Sequence, residues 1–396
     1  MTATFAQQSS HPADLLDWFH HMRGSEPVSW DGPFGAWHVF GYPEVSAVLA
    51  DPGTFSSDLS ALIPPQEDLE LFAKGSFVGM DPPRHLKLRR LVSRAFTPRI
   101  VAELAPRIDQ VTRELLDTVR GASAFDLVAD LAYPLPVIVI AELLGVPADD
   151  RAAFRRWADG LLSDARPEQL MPDEATLNAV GATVREMNAY LLDHIRARRA
   201  APTTDLTSTL IAAEVDGERL DDEEIVGFVG LLLIAGHITT TLLLGNTVMA
   251  LDAHQDATAA LRADPTGLAT ALEEVLRVRT PFPRLVRLAR TDVTLAGRDI
   301  RAGQVLNLWL ASANRDERQF AGADRFDAGR NPNPHLSFGH GIHFCIGAPL
   351  ARLEARLATA MLLEECPEFA VGPDADLYDA RVMTGARRLP VAVTWR

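Results

Sequence analysis

Between residues 225 and 251 the chain carries no Asp, Glu, Lys or Arg. A run of that length exceeds the ~20 residues that cross a bilayer. Such a chain therefore either spans a membrane or folds around one buried apolar helix. Gly227, Gly230, Gly236, Gly245, His237, Thr239, Thr240, Thr241 and Asn246 interrupt the run, and its flanks lack aromatic belts and Lys/Arg clusters. These features favour the buried helix, which requires a large core around it. Its start is written locally. Asp221 is an N-cap, Glu224 completes a capping box, and Leu220 and Ile225 are spaced as a hydrophobic staple.

The remaining sequence can supply that core, since 47% of its 396 residues are hydrophobic. Helical patterning dominates. Strand-like segments are short and confined to residues 37–40, a strand–turn–strand reading over 292–295, 296–299 and 305–309, and 389–395. This predicts a mainly α fold: a single large helical domain over 1–396 with small segregated β-sheets and an irregular lead-in over 1–26. Residues 56–79, 200–207 and 314–335 read as loops. A net charge of −15 argues against nucleic acid or an anionic membrane as the main partner. Two cysteines give no disulfide framework, which points to a cytoplasmic setting. The N-terminus has neither a basic region nor a long apolar one, so no signal peptide is expected.

The densest chemistry lies at Phe338-Gly339-His340-Gly341-Ile342-His343-Phe344-Cys345-Ile346-Gly347. An amphipathic helix follows, with Pro349 in its first turn and Leu350, Leu353, Leu357 and Met361 on one face. Cys345 thus precedes a helix N-terminus, where N–H groups and the helix dipole favour a thiolate. Glycines at 339, 341 and 347 permit tight turns and close approach of a flat cofactor. The same residues also suit a buried structural cysteine, or a zinc site of His340, His343 and Cys345 with a fourth ligand from elsewhere. Cys366 has no comparable surroundings.

This segment resembles the haem-binding loop of the cytochrome P-450 family, F-G-x-G-x-H-x-C-x-G. Phe338, Gly339, Gly341, His343, Cys345 and Gly347 match all six fixed positions. A chance match in a chain of this length is on the order of a few in a million. The resemblance implies the cytochrome P-450 fold and haem b held by the Cys345 thiolate. It further implies O2 as co-substrate and electrons from NAD(P)H through a ferredoxin and its reductase. Arg352 and Arg356, on the helix after Cys345, are candidate docking charges.

Other family motifs follow in the family's order. His85 and Arg89 form the H-x-x-x-R pair that binds haem propionates; Arg287 and His343 match further propionate contacts. Ala235-Gly236-His237-Ile238-Thr239 resembles the oxygen-activation segment. There Gly236 leaves room for a diatomic and Thr239 relays a proton; where this chain has Ile238 in place of the acid that relatives often carry, either His237 or waters substitute for it or proton delivery is slow. Glu274 and Arg277 form E-x-x-R, with Arg325 expected as the third member of a buried network. Residues 56–79, 232–237, 281–285 and 382–384 match pocket walls, which makes Leu233, Phe282, Arg284 and Met383 substrate contacts. The implied activity is insertion of one oxygen atom into a C–H or C=C bond of a small, largely apolar molecule in secondary metabolism, with no nucleic-acid or membrane partner. Coupling, nitration or peroxide-driven oxidation on the same scaffold, and a non-catalytic haem sensor or helper, are the alternatives.

Overall fold

The capping box opens a helix of 32 residues, Asp222–Ala253. The Asp221 carboxylate accepts from the Glu224 N–H at 2.7 Å, and the Glu224 carboxylate accepts from the Asp221 N–H at 3.1 Å. Leu220 and Ile225 are both buried. This computed structural model describes residues 11–63, 66–162 and 174–396. Among them this is the one helix long and apolar enough to cross a membrane, and most of its apolar stretch is covered by protein.

The covering is done by Glu67–Gly75, Pro134–Leu143, Glu174–Ala200 and Ala348–Glu365, which pack on it from several sides. A Cβ on Gly227 would collide with the Gly75 backbone, so Glu67–Gly75 crosses the central helix main chain to main chain. The largest apolar cluster gathers around this axis and includes Phe228, Leu243, Leu272 and Leu350. Each such side chain stabilises the fold by roughly 1.5–3 kcal/mol through burial.

The strands stay apart from this core. A five-stranded sheet runs Val28–Asp31, Ala36–Val39, Val305–Trp309, Arg284–Ala289, Phe55–Ser56 in spatial order. Val305 pairs with Ala36 in parallel and with Leu288 antiparallel. A second sheet holds Glu368–Val371, Pro390–Thr394 and Ala124–Asp126, and three two-stranded ribbons complete the set.

Three expectations are corrected. Residues 56–79 are not one loop: Glu67–Gly75 is helical, and its acidic first turn suits a helix N-terminus. The lead-in is not irregular throughout, because Pro12–Ser25 is a helix capped by His11. The turn after Val293–Leu295 returns at once into Arg298–Ile300, with Ala296 and Gly297 both at positive φ. Val305–Trp309 instead joins the five-stranded sheet.

Candidate active site

Cys345 is held by its loop before it is held by anything else. Its N–H donates to the Phe338 carbonyl at 2.8 Å, and the Phe344 N–H donates to Gly341 O at 3.1 Å. Gly339 and Gly341 have φ of 73° and 69°, and a side chain on Gly341 would press on the Leu49 carbonyl. Gly347 has an ordinary φ of −80°, and a Cβ there would meet Cys345 Sγ only at an ordinary contact distance of 3.9 Å, so neither the turn nor the space beside the sulfur demands glycine. Phe338 closes the loop's outer side, with the Arg352 guanidinium 4.5 Å over its ring.

Cys345 has solvent-accessible surface, yet protein surrounds its sulfur on nearly every side. Both hold if the sulfur opens on an internal chamber. Burial pushes the thiol above its ordinary pKa, and the Gly347 and Ala348 N–H groups and Arg89 only partly oppose this. The expected net lowering by the helix terminus is therefore not what the polypeptide alone produces. A metal cation bound to the sulfur would supply the deprotonation. The zinc alternative fails on geometry: among the described residues, His340, His343 and Cys345 do not bring donor atoms within reach of one ion.

Four basic side chains from three elements meet beside the sulfur. His85 and Arg89 come from the helix Arg84–Ala95, Arg287 from the strand Arg284–Ala289, and His343 from the cysteine loop. The His85 and His343 rings lie 4.2 Å apart. His85 is fully buried with neither ring nitrogen hydrogen-bonded, and His343 Nδ1 is also unpartnered, while its Nε2 is 3.0 Å from the Ser57 hydroxyl. Burial first, then the neighbouring cations, lowers both imidazoles, His343 to about 3. Arg89 donates to Phe344 O at 2.6 Å and Arg287 to Val286 O at 2.8 Å; burial holds Arg287 down at about 10. Asp81 is the carboxylate these groups feel, and it already accepts from the Ser57 N–H at 2.9 Å. Three unpartnered imidazole nitrogens and two guanidiniums with so little counter-charge form a cradle for a dianion. The paired propionates of haem b fit that chemistry.

The central helix shows where it faces the chamber. In its buried middle, Ala235 is exposed and Leu231 and Thr239 are partly exposed, a stripe at i, i+4 and i+8. The Thr239 hydroxyl donates to Ala235 O at 2.6 Å, which leaves its lone pairs free to accept. Gly236 does not front this chamber: a Cβ there would meet Ile140 Cδ1 at 2.6 Å, so its small size serves helix packing. His237 is fully buried against the Tyr133 ring at 4.1 Å, and burial lowers it to about 4, so it is neutral and turned away from the stripe. Ile238 packs with Leu242 and Met383 in a small apolar cluster.

The substrate candidates separate in the same way. Leu233 is wholly buried in the main core, about 200° around the helix from Ala235, and is not a chamber residue. Met383 is buried with Ile238, and Phe282 is exposed. Arg284 is corrected by strand alternation: it lies on the opposite face from Arg287. Its guanidinium sits over Phe34 and Trp309 at 5.8 and 5.9 Å, where burial lowers it to about 10.

Glu274 and Arg277 pair at 2.8 Å through two parallel hydrogen bonds, both fully buried. The third member is Arg330, whose Nε lies 3.1 Å from each Glu274 oxygen. The Arg325 side chain is 78% exposed and only its carbonyl joins, accepting from Arg277 at 3.0 Å.

Two residues escaped the sequence reading. Ala235 was findable from the phase of Thr239. Glu354, on the helix Ala348–Glu365, carried no local signal. It is fully buried and neither oxygen has a well-formed hydrogen bond. Burial pushes it up to about 8 against a weak opposing effect from Thr240.

Comparison with known proteins agrees with this site. The family model for cytochrome P450 matches residues 2–370. The chain belongs to the cytochrome P450 family, the haem b monooxygenases that use dioxygen and electrons derived from NAD(P)H. It is 42% identical to the cyclomarin C epoxidase CymV of Salinispora arenicola, covering 96% of this chain and 95% of that one. It is 43% identical to the erythromycin C-12 hydroxylase of Saccharopolyspora erythraea, covering 95% and 94%. The ligand-free structure of cytochrome P450 TbtJ1 superposes with a TM-score of 0.89 at 45% identity, covering 98% and 99%. The family takes small-molecule substrates and electrons from redox partners.

Proposed function

We propose that Cys345 Sγ would hold the iron of haem b, and that His85, Arg89, Arg287 and His343 would hold its propionates. The convergence of those four basic side chains beside the one cysteine that opens on the chamber carries this reading. Haem bound through a thiolate supplies the oxygen-activating chemistry, which inserts one oxygen atom into the substrate. The chain's own residues set the conditions. The buried central helix and its neighbours exclude bulk water. Ala235 leaves space over the haem face. Thr239 Oγ, its proton engaged by Ala235 O, accepts a hydrogen bond from the chamber. Burial raises the Glu354 carboxyl beside Thr240 to about 8, which favours its protonated form at neutral pH.

The substrate is a largely apolar small molecule of secondary metabolism, as the names of the cyclomarin C and erythromycin enzymes suggest. Those relatives also favour oxygen insertion over coupling or nitration. Leu231, Ala235 and Phe282 are its contacts. Electrons come from a ferredoxin and its reductase in the cytoplasm. Arg352 is occupied by a two-point pair with Glu273 at 2.7 Å, so the exposed Arg356 is the better docking charge. The ferrous carbon monoxide complex of the holoprotein should show the red-shifted Soret band of thiolate ligation. Cys345→His should move it to the position of nitrogen-ligated haem. An unshifted band in that variant overturns the assignment.

A further inference from the structure

A cavity of about 210 Å³ lies between the first helix, the C-terminal part of the central helix and the end of the helix Leu268–Val278. Cys345, His85, Arg89, Arg287, His343, Ala235 and Thr239 are not among its lining residues. Leu16, Phe19, Ala250 and Phe326 give it apolar walls, and Arg279 and Arg315 bring two guanidiniums into it. Arg315 is partly satisfied: it donates to Val278 O at 3.1 Å and pairs loosely with the exposed Asp324 at 3.4 Å. Arg279 is not. No carboxylate or carbonyl among the described residues accepts from its side chain, Arg315 adds a like charge nearby, and burial alone drives its pKa down. Arg279 keeps some accessible surface, and an anion in the cavity would relieve its like-charge repulsion with Arg315.

We infer that this cavity is a binding site for a small amphipathic monocarboxylate, whose carboxylate bridges Arg279 and Arg315 while its tail lies against Leu16, Phe19 and Phe326. The volume lies below the roughly 300 Å³ at which pockets for larger ligands begin. This selects an acid of roughly octanoate size. The position gives the ligand a consequence. Thr280 and Thr384 also line the cavity, and they adjoin residues 281–285 and 382–384. Asn246 of the central helix donates to both Arg279 O at 3.1 Å and Thr384 O at 2.9 Å, so the anion site is tied to the helix that carries Thr239.

The test uses ferric holoenzyme saturated with 4-phenylimidazole, which closes the haem chamber, titrated with sodium octanoate by calorimetry. Wild type should bind one octanoate, and Arg279→Met should bind it at least about tenfold more weakly, the loss expected for a charge-assisted hydrogen bond. On wild type alone, 1-octanol should likewise bind about tenfold more weakly than octanoate. Without octanoate, Arg279→Met should melt no lower than wild type, because it removes an uncompensated charge. Absence of octanoate binding to wild type, equal binding by Arg279→Met, or equal binding of octanol overturns the inference.

Discussion

Replacing Arg330 by Ala should destabilise the protein far more than replacing Arg325, the arginine that the sequence assigns to the Glu274 network. Arg330 is 9% exposed at its side chain and contacts both Glu274 oxygens at 3.1 Å, Ala321 O at 2.9 Å and Gly322 O at 3.3 Å. Breaking a buried ion pair typically costs about 3–5 kcal/mol. Here Glu274 would keep the Arg277 pair at 2.8 Å, the Asp327 N–H at 2.9 Å and the Asn333 amide at 3.1 Å. The carboxylate is not orphaned, and the loss should fall to about 2–3 kcal/mol. Arg325 has one long contact to Asp327 at 3.8 Å in solvent, worth about 0–0.5 kcal/mol. Unfolding entropy of about 2.1 cal/mol/K per residue gives the 396-residue chain roughly 0.8 kcal/mol/K. Arg330→Ala should then lower Tm by about 3 °C and Arg325→Ala by less than about 1 °C. Calorimetry of both holoproteins at one scan rate measures this, because irreversible melting makes Tm depend on rate. Equal shifts, or a larger one for Arg325→Ala, would refute the assignment.

Leu233→Ala should cost about 2–5 kcal/mol of stability and leave the haem spectrum and its ligand titrations unchanged. Leu231→Ala should do the reverse, altering substrate-induced spectral shifts with little change in Tm. Gly236→Ala should cost about 1–3 kcal/mol, since its methyl group meets Ile140, and the double variant Gly236→Ala/Ile140→Val should recover much of that in urea unfolding. Glu354 supplies a pH signature. Its folded pKa of about 8 exceeds the ordinary 4.5, so the folded state holds the proton longer and this site's contribution is fully present below pH 4.5. It should decline by up to about 1.4 kcal/mol per pH unit as pH rises toward 8, and level off above that. Glu354→Gln should flatten the stability difference between pH 6 and 8, and an unchanged slope would show that Glu354 does not titrate in that range.

The parts of the site that were legible in the sequence are those fixed by local spacing. The cysteine loop is defined over ten residues by its own glycines and hydrogen bonds. Glu274 and Arg277 must share a helix face at i and i+3. The capping box at Asp221 is likewise a matter of three residues. What stayed hidden depended on phase or on distant partners. The segment Arg284–Ala289 carries arginines at two positions and shows no clean alternation of polar and apolar residues. Its strand, and with it the opposite facing of Arg284 and Arg287, emerges only from pairing with Val305–Trp309. Arg330 lies in an irregular stretch where no period selects it over Arg325. Glu67–Gly75 is rich in acids and follows two prolines, so it reads as a loop. Its helicity is rewarded by close packing against Gly227 in a segment far along the chain.

The isoleucine at 238 and the glutamate at 354 belong to one arrangement. Ile238 packs with Leu242 and Met383, so an acid at that position would lie against apolar side chains and be costly to ionise. Glu354 is desolvated too, but the cost is met by keeping its proton, and its backbone belongs to the helix that follows Cys345. The ionisable group is thereby moved off the stripe of Leu231, Ala235 and Thr239. On the proposed reading, those three positions can change to fit a different substrate without disturbing the proton store. The proton that Glu354 retains depends instead on the packing of the two helices at Thr240.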